Sequence, residues 1–154
     1  MGAKVKNPRK KFLWSIMFPK HPINTYLFQT CTLPDVEIDQ VAHGDVNRDV
    51  KTPGRVSVGN LIVEKLMTTA GSDTWLHDWL YSCQDHIVGG GLVPSQYWET
   101  AIVNELAEDG VSVLNTHVFE EVWPCKITGL DLDRMASENT IESIEFSVGT
   151  ADKY

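Results

Sequence analysis

Apolar residues along most of this chain recur with a period of two. Val36-Glu37-Ile38-Asp39, Arg55 to Met67, Tyr97 to Leu106 and Glu142 to Val148 are short runs rich in β-branched and aromatic side chains, separated by Pro, Gly, Asn and Asp. That pattern predicts strands. Further strands are predicted from about Phe12 to Phe18 and from Tyr26 to Thr32, on either side of a turn through Pro19-Lys20-His21-Pro22. In the run from Tyr97, alternation puts Trp98, Thr100, Ile102 and Leu106 on one face. Glu108-Asp109-Gly110 reads as a hairpin turn, followed by a strand or strand pair over 111–127. In the last run Ile144, Phe146 and Val148 share one face, and Ser143, Glu145 and Ser147 the other.

One segment has helical spacing instead. From Ser72-Asp73 to His86, the residues Trp75, Leu76, Trp79, Leu80, Cys83 and Ile87 recur every three or four positions. Ser72 or Asp73 is the expected N-cap and Gly89-Gly90-Gly91 the expected stop. This predicts an amphipathic helix whose Trp face packs on a sheet. Residues 43–54, HGDVNRDVKTPG, carry four charges and end in Pro53-Gly54, which predicts a long loop of the kind that is more often functional than idle. The fold class expected is mainly β: a small antiparallel β-barrel or sandwich of seven or so strands with one flanking α-helix. No repeat or linker divides the chain, so the expected organisation is a basic N-terminal arm over 1–11 and one β-barrel domain over 12–154.

Charge sharpens this picture more than composition does. With 154 residues, 42% hydrophobic and 22% charged, the chain matches an ordinary single domain and excludes disorder or a collagen-like repeat. The net charge is −8, yet five of the 13 bases (Lys4, Lys6, Arg9, Lys10, Lys11) lie in the first eleven positions, where there is no acid. Residues 12–154 therefore carry 8 basic against 21 acidic groups, a net −13. An acidic body argues against wrapping DNA, because affinity for a phosphate backbone comes mainly from Lys and Arg. The arm reads as a solvated tail able to dock on a neighbour. No apolar run reaches the ~18 residues of a membrane span. The run Phe12 to Phe18 lacks the small-residue end of a signal peptide, so synthesis in a cytoplasm is expected. Cys31, Cys83 and Cys125 have no C-x-x-C spacing, and their odd number prevents complete pairing within the chain. They are read as buried thiols or as partners in an intermolecular disulfide formed after assembly.

Catalytic and cofactor signals are lacking. His77 and His86 are nine apart, not the four that would place two metal ligands on one helix face. Gly89-Gly90-Gly91 follows a helix, whereas phosphate loops place glycines between a strand and a helix. Glu120 and Glu121 are adjacent on a strand and are expected on opposite faces. Neither a metal nor another cofactor is expected, and nothing in the chain supports catalysis.

Several ordered segments point elsewhere. A strand ending Thr32-Leu33-Pro34 is followed by Val36-Glu37-Ile38 and by a charged stretch ending Lys51-Thr52-Pro53-Gly54. Asn60 to Leu66 leads through a short spacer to Asp73-Thr74-Trp75-Leu76-His77-Asp78-Trp79. Asp109-Gly110 precedes Val122-Trp123-Pro124-Cys125-Lys126-Ile127-Thr128-Gly129-Leu130-Asp131-Leu132-Asp133, and the last strand runs from Ile141 to Val148. In this order they resemble the K-x-P-G turn, the aspartate-plus-tryptophan helix, the W-P-x-K motif and the E-x-I-E-F ending of the T4-like tail tube proteins of contractile bacteriophages. The Gly-rich stretch 89–91, the three cysteines and the basic first eleven residues depart from the family pattern.

The resemblance implies a structural virion protein, assembled in the host cytoplasm as hexameric rings stacked into a hollow tube, with strands of neighbouring subunits joined into one barrel. Its implied partners are further copies of itself, the tail sheath protein, baseplate and tail-terminator proteins, and the tape measure protein and double-stranded DNA in the lumen. A lumen that lets a polyanion slide should be hydrophilic, acidic and poor in Lys and Arg. On that basis Glu37, Asp39, Ser57, Gly59, Ser143, Glu145 and Ser147, opposite apolar strand faces, are expected to line it, unless the carboxylates are ordinary solvent-exposed ones. Asp45, Arg48, Asp49, Lys51, Pro53 and Gly54 are expected to reach a neighbouring subunit or ring. His77, Asp78, Ser82 and Asp85 are expected to face the sheath. A tube of a contractile bacteriocin or secretion needle is the near alternative. A small β-barrel binding protein or enzyme with a site near His77 and His86 is the distant one.

Overall fold

The computed structural model describes residues 8–20, 28–67 and 74–153. Residues 1–7 of the arm, His21-Pro22 of the first turn, Tyr26 and the expected N-cap pair Ser72-Asp73 lie outside them. The elements are β1 (Trp14–Met17), β2 (Phe28–Thr32), β3 (Val36–Gly44), β4 (Asp49–Val58), β5 (Leu61–Leu66), α1 (Trp75–Cys83), α2 (Pro94–Tyr97), β6 (Glu99–Leu106), β7 (Val113–Ile127), β8 (Ile141–Ser147) and β9 (Thr150–Lys153). Seven strands form one sheet in the order β1-β6-β7-β8-β5-β2, with β9 also on β7, while β3 and β4 form a separate two-stranded sheet. Every pairing is antiparallel. The large sheet curls until its edges β1 and β2 flank one cleft, with Trp14, Ser15 and Ile16 on one side and Phe28 and Gln29 on the other.

Antiparallel pairing gives this curled sheet two ends. Trp14, Leu106, Val113, Thr32, Leu61 and Ser147 mark one; Met17, Glu99, Ile127, Phe28, Leu66 and Ile141 mark the other. Helix α1 follows β5 and so sits at the second end, over an aromatic cluster. Phe18, fully buried, lies 5.3–6.0 Å from the ring centres of Phe146, Trp79, Trp75 and Phe28, and Trp79 donates Nε1–H to the Tyr97 carbonyl at 2.8 Å. Leu61, Val63, Ala101, Val103, Phe119, Val122 and Ile144 complete the core inside the curl.

Where the structure departs from expectation, the reasons are local. Residues 43–54 are a loop only at the turn between Gly44 and Asp49; the rest is strand. A ribbon with no buried face needs no apolar alternation, so its charges read as loop. Pro53 and Gly54 form no turn. Pairing steps from Ile38↔Val56 to Gln40↔Pro53, which leaves Gly54 and Arg55 opposite Asp39 as a bulge. Gly54 suits this bulge, because a Cβ would stand a tight 3.2 Å from the Asp39 carbonyl oxygen and from Val41. The expected strand from Arg55 to Met67 is two strands, split where the Gly59 amide donates to the Asp35 carbonyl at 2.7 Å and closes the hairpin base.

Helix α1 is shorter than its spacing predicts, and the chain leaves it extended at Gln84. The glycines do their work later: Gly89 and Gly90 adopt φ of +83° and +79° in a loop that leaves Ile87 exposed. On β6 the buried residues are Ala101 and Val103, not Ile102, because Val103 pairs with inward Ile16 on β1. Glu120 and Glu121 do not point to opposite faces. A bulge with Glu121 at φ +57° leaves both exposed between buried Phe119 and Val122. This irregularity lies where β7 passes from β9 to β8. Short, polar β9 carries no periodic signal and was not expected.

Because Phe18 joins the helix to both halves of the sheet, Phe18→Ala should cost about 3–5 kcal/mol of stability, read by denaturant unfolding followed through Trp fluorescence.

Candidate functional site

The outer face of the β7-β8-β5-β2 layer is set by strict alternation. On β8, Glu142, Ile144, Phe146 and Val148 turn inward and are buried, so Ser143, Glu145 and Ser147 face outward, half-exposed. Register places Ser143 beside Glu64 and Glu64 beside Thr30, while Glu145 lies between Ile62 and Lys126. This face is mostly carboxylate and hydroxyl, with Lys126 as a base that alternation alone did not place next to Glu145.

The β3–β4 hairpin makes a second such face. Of its nine and ten strand residues only Val58 is not fully exposed. Glu37 pairs with Ser57, with Asp39 two positions on, and all three share one side; Val36, Ile38, Val56 and Val58 share the other. Gly59 lies outside the strand. The expected lumen residues therefore fall into two groups on separate sheets. At the hairpin's far end Asp45 and Arg48 form the turn, closed by the Asp45 amide on the Arg48 carbonyl at 2.9 Å, and Asp49 and Lys51 pair with Gly44 and Ala42. Among the described residues none of these four charges is in an ion pair.

On helix α1, Asp78 is exposed, but His77 is not simply outward. Its Nε2 lies 3.2 Å from Oε2 of Glu142, a side chain that is only 2% exposed. Glu142 is the Cα partner of Lys65, and both are buried. The Leu61-Val63-Lys65 alternation already placed Lys65 inward, so this polar cluster was findable from sequence and was missed. Ser82 donates its hydroxyl to the Trp79 carbonyl at 2.6 Å. Asp85 accepts the amides of Ile87 at 2.8 Å and Val88 at 3.3 Å, which hold its carboxyl below the usual range and stiffen the apolar tip they belong to. His77 and His86 each approach Tyr81, at ring separations of 6.4 and 5.2 Å. Among the described residues no three His, Cys, Asp or Glu side chains converge as metal ligands would.

All three thiols are free. Burial pushes Cys31 up to about 12; burial also raises Cys83, and burial and then Glu145 raise Cys125.

These surfaces have relatives. A family model described as the T4-like virus tail tube protein gp19 matches residues 10–150. The chain belongs to this tail tube family. Among solved structures its fold is similar to a chain of the anti-feeding prophage cap (TM-score 0.82, 14% identity, covering 100% of this chain and 95% of that one). It is similar also to chains of an extracellular contractile injection system, one in the PVC sheath/tube terminator (TM-score 0.80, 17% identity, 97% and 99% covered) and one in the PVC sheath-tube complex (TM-score 0.78, 17% identity, 97% and 93%). No match is found among curated proteins. Family and fold relatives are components of tubes and their terminators, so the surfaces above are to be weighed as contacts between proteins.

Thiolate is the reactive form of cysteine, so the tail tube chain should show graded labelling by a thiol reagent at neutral pH. Exposed Cys125 is expected to react first and half-buried Cys31 last; Cys125→Ser should remove the fast phase.

Proposed function

We propose that this chain is the building block of the inner tube of a contractile particle, forming hexameric rings that stack into a hollow conduit inside a sheath. The observation that carries the reading is the β3–β4 hairpin, considered within a tail tube chain. Its aliphatic side chains Val36, Ile38 and Val56 are 53–60% exposed, and the chain itself offers them no cover. An isolated two-stranded ribbon is marginal in water, so it needs a surface to lie on. A neighbouring subunit supplies that surface and also covers the open edges β1 and β2, which would otherwise invite irregular aggregation.

In this arrangement the carboxylate-and-hydroxyl face of Ser143, Glu145 and Ser147, together with Glu37, Asp39 and Ser57, lines the lumen. Repulsion keeps a polyanion centred there, and Lys126 beside Glu145 limits the field without offering a continuous basic track. Asp45, Arg48, Asp49 and Lys51 make mixed-charge contacts to the adjoining subunit, each weak alone and repeated around the ring. Asp78 and its neighbours face the sheath; baseplate, terminator and tape measure proteins are the remaining partners, and Cys125 is the thiol best placed for a bridge between copies.

The net −13 of residues 12–154 favours a phage tail tube that conducts double-stranded DNA. A bacteriocin-like tube without DNA is the second reading, favoured by similarity to the anti-feeding prophage and PVC structures.

Negative-stain electron microscopy over a concentration series is expected to show rings and then rods of uniform width. Protein that stays monomeric at every concentration would overturn the reading. Replacing Val36, Ile38 and Val56 together by Thr should leave the fold intact by circular dichroism and abolish rods; unchanged rods would overturn the hairpin's role.

A further inference from the structure

The two ends of strand β7 carry surfaces of opposite character. At its start, beside Leu106 and Trp14, the chain enters the fold through Arg9, Lys10 and Lys11, all exposed. This entry is firmly held. Arg9 Nη1 meets Glu105 Oε2 at 2.9 Å, the Leu13 amide donates to the Lys10 carbonyl at 3.3 Å, and the Leu106 amide donates to the Leu13 carbonyl at 2.9 Å. Glu105 also accepts from Asn115 at 2.8 Å, so its charge is spent on this anchoring. Glu108 and Asp109 share this end as exposed carboxylates, Asp109 held in the turn by the Ser112 hydroxyl and the amides of Val111 and Ser112, so the basic character is confined to the entry segment itself. Lys10 and Lys11 are exposed and in no ion pair among the described residues.

At the far end of β7 the chain makes a thirteen-residue excursion, 128–140, before β8 begins at Ile141. Residues 128–139 are all exposed. The loop carries Asp131, Asp133 and Glu138 against the single base Arg134, and it presents Leu132 (77% exposed) and Met135 (91%) to solvent. It is nevertheless shaped: Asp133 Oδ1 accepts the Met135 amide at 3.0 Å, the Thr128 amide donates to Ser143 and the Met67 amide to Thr140. Together with Ile141 it walls an open cavity of about 820 Å³.

We propose that this acidic cavity receives the basic entry segment of a second copy, with Lys10 and Lys11 against Asp131 and Asp133 and the lysine stems over the exposed Leu132. The inference rests on the tube reading and names the contact that would stack its rings. Two arguments select a second copy. The charges are complementary, with consecutive bases facing three carboxylates that outnumber the single base Arg134 in the same lining. The two surfaces also lie at opposite ends of one strand, so joining them between copies leaves each copy one unused donor and one unused acceptor, and the contact repeats in line. Long side chains that lay their stems on an exposed aliphatic residue while keeping the ammonium among carboxylates suit this lining. Ion pairs of this kind are screened by salt, so the stacking should weaken as ionic strength rises.

Charge reversal tests it. In the full chain, Lys10→Glu/Lys11→Glu and, separately, Asp131→Lys/Asp133→Lys should each raise the concentration at which stacked rods appear roughly tenfold in low salt, read by sedimentation velocity and electron microscopy. Rings should persist in both. A protein carrying all four reversals should regain rods near the parent concentration, because the pairs are restored with signs exchanged. If either reversal proves misfolded by circular dichroism, Lys10→Ala/Lys11→Ala and Asp131→Asn/Asp133→Asn take its place with the same expectation. Rods from parent and variants alike, or no recovery in the four-site swap, overturn this contact and leave the tube reading standing. A parent that forms neither rings nor rods overturns both.

Discussion

Phe18 is the point on which the rest of the structure depends. It is the first residue after edge strand β1, fully buried, and its ring meets Phe28 of the opposite edge, Phe146 of the central strand β8 and both tryptophans of helix α1. Among the described residues the two edges β1 and β2 share no backbone pairing that would hold them near one another. Here an aromatic contact does so, with edge-on and tilted geometries that add to the burial of the rings themselves. The same cluster seats the helix, so the curl and its cap form together.

That arrangement explains how the chain can afford so exposed a hairpin. All elements of the core lie within the curl, and β3–β4 leaves it from one end through the Gly59–Asp35 bond. Only Val58 at the hairpin's base packs against the core; the ribbon beyond it is exposed. It is therefore free to be shaped for a neighbour, with an aliphatic side and an acidic side that share one ribbon and a Gly54 bulge that alters its course between them.

Much of this was legible in the sequence where one face of a strand is buried. Ile144-Phe146-Val148 against Ser143-Glu145-Ser147 was read correctly because burial imposes the period. The same logic failed for residues 43–54, where neither face is buried and the only local marks were charges, Pro and Gly. On β6 it grouped Ile102 with Trp98 and Thr100 but could not say which face is inside, because both carry apolar residues and pairing with Ile16 decides it. Glu120-Glu121 and β9 were invisible for a third reason: a bulge with a left-handed Glu121 follows from how β7 is shared between β9 and β8, which is a property of three strands and not of one.

The part-buried His77–Glu142 contact, with Lys65 as Glu142's strand partner, is the polar feature at the edge of the core. Apolar residues of similar volume are often neutral or stabilising in place of buried charges, so stability alone does not account for Lys65 and Glu142. Their positions do suggest a use. Glu142 is one residue into β8, immediately after the 128–140 loop, and His77 lies in the helix that caps the same end. A directional contact there fixes the rotation of the helix about the aromatic cluster, which ring stacking by itself tolerates within wide limits. It thereby sets the position of the helix surface relative to the loop. A polar pin of modest stabilising value is thus accounted for by the geometry it imposes on this end of the fold.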